Sequence, residues 1–348
     1  MSYSELIARG GRMLSDAGLE GARRDAATLL CAAAGRDRAA LMLHEREFLT
    51  DTVIDKYMAY LGRRLKREPV QYIIGEWEFM GLPFAVDQNV LIPRPDTELL
   101  VECVTGWLKS TGGGQAPLIL DLCTGSGCVA VSLAAAGTGG RRAAAPDNAA
   151  ALSDDSIIST NNLTAISNNP ANSPYNPFTE LNISIVATDI SAEALRVARL
   201  NAEKNGVADR IYFMEGDMFE PFINRSETHP NAAYCHAARS NWTFDAICAN
   251  PPYIPSGELV GLPEDVRAYE PRIALDGGLD GYKYYKVIAE NAASWLKPGG
   301  LLAVEAGFGQ AGEVKRLFAS NGLCGVSVMR DLNGIERVVA ARARAGNG

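Results

Sequence analysis

The sequence predicts an α/β fold: a mostly parallel sheet covered by helices on both faces, preceded by a small helical domain. Two observations lead there. Beyond Pro117, short apolar runs alternate with helical stretches, the pattern of strands buried on both sides. Before Pro69, apolar residues recur only at helical spacing. The 348 residues, 47% of them hydrophobic, suffice for one large domain and a smaller one.

Residues 1–70 read as the helical domain. Leu6, Ile7, Met13 and Leu14 mark a first helix, and Ala26, Leu29, Leu30 and Ala33 a second that Asp25 or the preceding arginines start and Gly35 stops. A third runs from an N-cap at Thr50 or Asp51 through Val53, Ile54, Tyr57, Tyr60 and Leu61. Its polar side carries Arg63, Arg64, Lys66 and Arg67, a solvated face or a docking surface, and Pro69 ends it. Residues 71–92 read as a β-hairpin linker broken by Gly75, Gly81 and Pro83. Next, Pro93 and Pro95 stiffen a loop ahead of an apolar helix, Leu99 to Leu108, capped by Asp96 or Thr97.

The remainder, 93–348, is one domain. Its strands are expected at 118–122, 183–188, 211–215, 244–249 and 300–305, its helices at about 128–136, 192–205 and 282–296. Ser191 caps one of these helices and Asn205-Gly206 ends it. Two late runs, 325–329 and 336–341, suit a closing edge hairpin. Two stretches break the alternation, 138–180 and 225–241. They are rich in small and polar residues and read as surface insertions.

Composition narrows the function. A net charge of −8 argues against a nucleic-acid grip and favours a basic protein partner. The seven cysteines form no C-x-x-C pair, so no zinc or redox site is signalled and no metal is expected. His229 and His236 read as solvated. Met1 to Gly18 lacks the apolar core of a signal peptide, and no run approaches a membrane span. The chain reads as a cytoplasmic monomer without stable nucleic-acid binding. The N-x-S/T matches at Asn162, Asn182, Asn224 and Asn241 therefore carry no meaning for glycosylation.

The run Asp121-Leu122-Cys123-Thr124-Gly125-Ser126-Gly127 stands where a strand becomes a helix, and its glycines let backbone approach a ligand. Gly125 to Ala130 also fits the G-x-G-x-x-A of nicotinamide enzymes. Two features favour S-adenosylmethionine instead. Asp121 is placed to meet a positively charged methionine portion, and Cys123-Thr124 widen the loop beyond a tight pyrophosphate turn. A second carboxylate should end the next strand and take the ribose hydroxyls. Asp189 does so 68 positions after Asp121, a separation that becomes ordinary once 138–180 is removed. After the following strand, Asp217 or the Met218 backbone would flank the adenine.

The fourth strand ends in Asn250-Pro251-Pro252-Tyr253. Two prolines stiffen the turn and remove competing N–H groups. What remains is the Asn250 side-chain oxygen, the Pro251 carbonyl and the Tyr253 ring. Together these accept both hydrogens of a planar –NH2 while the ring stacks on it. An amide nitrogen is a poor nucleophile; two aligned acceptors raise its electron density and aim its lone pair at a sulfonium methyl, so catalysis is mostly orientation.

With these motifs the chain resembles the HemK/PrmC family, the N5-glutamine methyltransferases of class I peptide-chain release factors. The shared strings are Pro69-Val70-Gln71-Tyr72-Ile73-Ile74-Gly75, Leu91-Ile92-Pro93-Arg94-Pro95-Asp96-Thr97-Glu98, the Asp121–Gly127 loop, Asn250–Tyr253 and Asn333-Gly334-Ile335-Glu336-Arg337-Val338. The resemblance implies a Rossmann-like seven-stranded class I methyltransferase sheet with a small N-terminal helical domain and a β-hairpin linker. It implies S-adenosylmethionine as donor, contacting Cys123, Thr124, Gly125, Ser126, Gly127, Asp189 and Met218, with Asn250 also near it. It further implies the glutamine of a release-factor Gly-Gly-Gln loop as substrate, held by Asn250, Pro251, Pro252 and Tyr253, with Arg94 and Glu98 walling the pocket. Two departures stand out: Cys123 replaces the family's usual Gly, and Met218 stands where some relatives carry an aromatic. The rival readings are a ribosomal-protein glutamine methyltransferase, an adenine-N6 methyltransferase that must flip its base, and a release-factor-binding module with a degenerate site.

Overall fold

The computed structural model describes residues 1–43, 47–111, 116–136, 183–223 and 242–345. The two expected insertions, their histidines and the four N-x-S/T matches lie outside the described residues. The chain divides into two compact units, one holding Met1–Lys66 and the other Arg67–Ala136 with Leu181–Gly348.

In the first unit, α1 (Tyr3–Asp16), α2 (Ala22–Ala34), α3 (Arg38–Leu43) and α4 (Asp51–Arg64) pack around Tyr3, Leu6, Leu29, Leu30, Tyr57 and Leu61, all fully buried. A capping box starts α1: the Ser2 amide donates to Glu5 Oε2 at 2.8 Å, and the Glu5 amide to Ser2 Oγ at 3.4 Å. The Tyr57 hydroxyl donates to the Leu6 carbonyl at 3.3 Å, and Gly10 makes room for it, since a Cβ there would lie 2.0 Å from the Tyr57 oxygen. Two expectations need correction. Arg64 is not on a solvated face: it is buried against Asp25 at 2.8 Å. And α4 stops at Arg64, short of Pro69.

In the second unit the segment after Pro69 is a helical turn, α5 (Val70–Ile74), where β-like runs were expected; three of its residues are buried and Gly75 ends it in the left-handed conformation. The hairpin β1 (Glu76–Phe79) and β2 (Leu82–Ala85) follows, then α6 (Pro95–Ser110). The order continues β3 (Leu118–Leu122), α7 (Cys128–Ala136), β4 (Ser184–Asp189), α8 (Ala192–Lys204), β5 (Ile211–Glu215), α9 (Glu220–Ile223) and β6 (Phe244–Ala249). It ends with α10 (Glu264–Tyr269), α11 (Lys283–Trp295), β7 (Leu296–Glu305), α12 (Ala311–Ser320), β8 (Cys324–Arg330) and β9 (Glu336–Arg342). The helix α6 begins earlier than expected, because Pro95 suits the first helical position. Arg94 is its N-cap, so neither Asp96 nor Thr97 serves as cap.

Seven strands form one sheet in the order β5-β4-β3-β6-β7-β9-β8, with β9 antiparallel to both neighbours. The fold class read from the sequence is the one observed. Alternate residues of each strand serve opposite faces: Leu120, Leu122, Ile247 and Val304 pack under α11 and α12, whereas Ile119, Ala246, Cys248 and Ala303 pack under α6 and α7.

The strand order reverses at the β3–β6 pair, since β4 and β5 lie on one side and β7 on the other. Such a reversal opens a crevice at the carboxyl ends of the strands. The loop after β3 and the turn after β6 both leave from that point, with Leu122 opposite Ala249 in the register. Two motifs more than a hundred residues apart are thereby made neighbours.

Candidate active site

At the end of β3, Asp121 is 1% exposed and accepts a hydrogen bond from Thr124 Oγ1 at 2.6 Å. Burial pushes its carboxyl up to about 7, against the Thr124 and Cys248 hydrogen bonds that lower it. The loop then turns through Cys123 at φ +58°, Gly125 at +54° and Gly127 at +79°. The left-handed region costs a side chain roughly 1 kcal/mol, a cost that Cys123 carries and a glycine would not. Gly127 is tight for another reason. A Cβ there would meet Ala198 Cβ at 3.0 Å, so the glycine lets α8 ride against the loop.

Asp189, at the end of β4, ties this loop to the next. Its Oδ2 accepts from the Gly125 amide at 2.9 Å and its Oδ1 from the Ser191 amide at 2.9 Å. Each oxygen keeps a further lone pair for a ligand hydroxyl. Burial raises the Asp189 carboxyl, and these two amides lower it again. The Gly216 amide donates to the Asp189 carbonyl at 3.0 Å, bringing Asp217 and Met218 alongside. Met218, also left-handed at φ +51°, places its sulfur 3.5 Å from Cys123 Sγ.

One cleft gathers these groups. Its walls include Asp121, Cys123, Thr124, Gly125, Ser126, Asp189, Asp217, Met218, Arg94, Asn250 and Pro252, around about 920 Å³ of space that opens to solvent. The Asn250 side chain donates from Nδ2 to Thr97 Oγ1 at 3.1 Å, so its Oδ1 is the pole left to accept. The turn is held from behind. Gln310 Nε2 donates to the Tyr253 carbonyl at 2.9 Å, and the Tyr253 hydroxyl donates to Glu305 Oε1 at 3.4 Å. Gly277, Gly281 and Gly307 press against Tyr253 so closely that a Cβ on any of them would fall within 3 Å of it.

The chain is 35% identical to the release factor glutamine methyltransferase of Geobacter sulfurreducens, over 94% of this chain and 92% of that protein. The chain belongs to the release factor glutamine methyltransferase family. The enzyme of the same name from Chlorobaculum tepidum is 34% identical over 99% of this chain and 98% of its own. Residues 5–75 match the PrmC N-terminal domain. Among solved structures, the release factor-specific protein-(glutamine-N5) methyltransferase of Alicyclobacillus acidocaldarius covers 75% of this chain and 99% of its own at 24% identity, with a TM-score of 0.34. The resemblance read from the motifs is borne out, and the chain is a methyltransferase.

In this glutamine methyltransferase, the expected site residues divide by placement. Gly127 lies under the loop against α8, outside the cleft wall. Pro251 is buried, and Tyr253 is half-buried behind the corner; neither is part of the cleft wall. Glu98 is also elsewhere, accepting from the Met80 amide at 3.0 Å in the hairpin turn. Arg94 lines the cleft and is paired with Glu270, whose side chain is 1% exposed and whose second oxygen takes the Ile92 amide at 3.4 Å.

Sequence reasoning missed Glu270, Thr97's bond to Asn250, and Glu305 with Gln310. It also missed Asn201, fully buried on α8, which accepts from the Ala85 amide at 2.6 Å and donates to the Ala85 and Ser126 carbonyls at 3.0 and 2.8 Å. The signal available was a polar residue inside an apolar stretch: Asn201 among Val197, Ala198 and Ala202, and Glu305 closing Leu301–Val304. Among the described residues no group of His, Cys, Asp and Glu is arranged to hold a metal, and no helix is long and apolar enough to cross a membrane.

Proposed function

We propose that this chain transfers a methyl group from S-adenosylmethionine to the side-chain amide nitrogen (N5) of the glutamine in the Gly-Gly-Gln motif of class I peptide-chain release factors. The observation that carries the reading is the shared cleft: the glycine loop, Asp189 and Met218 line the same space as Asn250 and Pro252. The names of the relatives supply the substrate class.

S-adenosylmethionine supplies an electrophilic methyl on a positively charged sulfur. The residues present suit it. The Cys123–Ser126 backbone takes the methionine portion beside Asp121, Asp189 takes the ribose hydroxyls, and Asp217 and Met218 flank the base. On the substrate side, Asn250 Oδ1 and the Pro251 carbonyl accept the two amide hydrogens, which turns the nitrogen lone pair toward the methyl carbon. The donor would supply its methyl to that nitrogen and leave as the neutral thioether, and the methylated nitrogen, cationic and acidic, would shed its proton to water. Orientation and the two acceptors do most of the work, without a dedicated base. Arg94, fixed by Glu270, walls the pocket, and Tyr253 keeps the turn rigid. Residues 1–70 serve as the substrate-docking domain, 71–92 as the hairpin linker and 93–348 as the catalytic domain, in a cytoplasmic protein.

Mass spectrometry of a release factor incubated with this chain and S-adenosylmethionine tests the reading. A gain of one methyl group on the Gly-Gly-Gln glutamine is expected. An unmodified glutamine refutes it.

A further inference from the structure

Two walls of the cleft meet at one buried carboxylate. Arg94 belongs to the wall that leads into α6, and Pro271, Ile273 and Ala274 to the wall that follows α10. Glu270, the first residue after α10, stands between them with its side chain 1% exposed. One of its oxygens pairs with Arg94 Nη2, and the other accepts from the Ile92 amide at 3.4 Å. Ile92 is itself buried, and Pro93, between the two contacts, has no N–H to compete. The second wall runs on to the Asn250–Tyr253 corner. There the Ile254 amide donates to the Leu275 carbonyl at 3.0 Å, and the Gly277 amide donates to the Ile254 carbonyl at 2.8 Å. Glu270 thus ties Arg94 to the strip of chain that braces the exit of that corner.

A buried ion pair adds little net stability over a packed apolar pair; what this one fixes is a direction. The Arg94 side chain is 35% exposed on the cleft wall. Its planar guanidinium has five N–H donors in a rigid fork, and the edge turned to Glu270 leaves the rest to the cleft. Charge then decides what the fork can meet. Among the described residues Arg94 is the one basic side chain on a wall that also holds Asp121, Asp189 and Asp217. A bare guanidinium would repel a positively charged sulfur. Glu270 cancels that charge and leaves the N–H groups able to donate. Such a pair suits a neutral acceptor better than a second carboxylate, which would compete with Glu270 for the same fork.

We propose that Glu270 is a positioning residue for Arg94, holding its guanidinium to donate to a main-chain carbonyl of the peptide loop that carries the substrate glutamine. The proposal rests on reading that loop as the substrate.

The test joins kinetics to NMR of the full chain labelled with ¹⁵N-arginine, the Arg94 side-chain signals being assigned by their absence from Arg94→Met. In the wild type the Arg94 Nη signals are separate, because the ion pair slows rotation of the guanidinium; in Glu270→Gln they merge. In Glu270→Gln, KM for the release factor rises about tenfold, the loss of one charge-assisted hydrogen bond. Its kcat stays within threefold, and its calorimetric affinity for S-adenosylmethionine within twofold. Arg94→Lys, which keeps the charge but not the fork, raises KM equally. Arg94→Met combined with Glu270→Gln is no worse than Arg94→Met alone, because Glu270 acts through Arg94; a general loosening of the cleft would add to it. An unchanged KM in Glu270→Gln overturns the proposal. So does a double variant whose KM multiplies the two single effects, or a donor affinity that falls in step with KM. Arg94 signals that merge in Glu270→Gln, in a protein leaving the release factor unmodified, keep Glu270 as the group that fixes Arg94 and remove the functional reading instead.

Discussion

Asp189 Oδ2 lies 2.9 Å from the Gly125 amide nitrogen, so the carboxylate that ends β4 holds in place the loop that leaves β3. A residue expected to touch a ligand is therefore also part of the frame that shapes the ligand's loop. Asp189→Ala removes both functions. Its affinity for S-adenosylmethionine, measured by calorimetry, is expected to fall on the order of 10²-fold, about 3 kcal/mol. Asp189→Asn recovers only part, because its NH2 must face one of the two backbone amides that now bind the carboxylate. Affinity within twofold of wild type in Asp189→Ala would remove Asp189 from the donor site.

Asn250→Ala takes away the acceptor at the corner without disturbing the glycine loop. The expected loss is on the order of 10²-fold or more in kcat for glutamine methylation, about 3 kcal/mol of transition-state stabilisation. Donor affinity is expected to stay within threefold. Single-turnover methylation rates alongside calorimetry separate the two.

The Asp121 carboxyl, pushed up to about 7, gives donor binding a pH dependence with a definite sign. Ionised Asp121 attracts the positively charged methionine portion and protonated Asp121 does not, so affinity rises as pH increases from 6 to 8. The stability contribution runs the other way. A carboxyl whose folded pKa is raised favours the folded state below its unfolded pKa near 4, and that advantage is lost as pH climbs through 7. Asp121→Asn is expected to flatten both curves. Calorimetry and thermal melts at pH 6, 7 and 8 read them, and an unchanged slope in the variant would show that other groups set the dependence.

Asn201 joins β2 of the hairpin to the glycine loop through three hydrogen bonds, two to Ala85 and one to Ser126. Replacing it with Ala leaves buried backbone groups unsatisfied at about 3 kcal/mol, about 6–12 °C in Tm. Donor affinity falls with it, because Ser126 loses its anchor. A melt that shifts by less than about 2 °C would mean the hairpin holds by its apolar contacts alone.

Much of this was legible in the chain itself. The strands β3 and β6 fall at the expected residues because each is a short apolar run buried on both faces, and β5, a partly buried edge strand, because its run is short and apolar with no competing helical period. The glycine loop and the Asn-Pro-Pro-Tyr turn were legible because their chemistry is local: positive φ, missing Cβ atoms and missing N–H groups are properties of consecutive residues. Glu305, Glu270 and Thr97 were not. Each does its work across a tertiary gap, on a partner 52, 176 and 153 positions away, and a single acidic or hydroxyl residue carries no periodic mark of such a partner. The helix α5 was misread for a related reason: Val70, Tyr72 and Ile73 favour strands in isolation, and only their burial in the packed unit selects the helical turn.

The aromatic cluster below the sheet has a consequence for where a substitution acts. Phe222 at the end of α9 and Trp242 just ahead of β6 meet with ring centroids 6.0 Å apart, and Phe244 and Trp295 close the group. The polypeptide thus departs and re-enters at one clasp, on the amino-terminal side of β6, the pole of the sheet away from the crevice. A substitution that loosens this clasp therefore acts at the opposite pole from every strand terminus that shapes the chemistry.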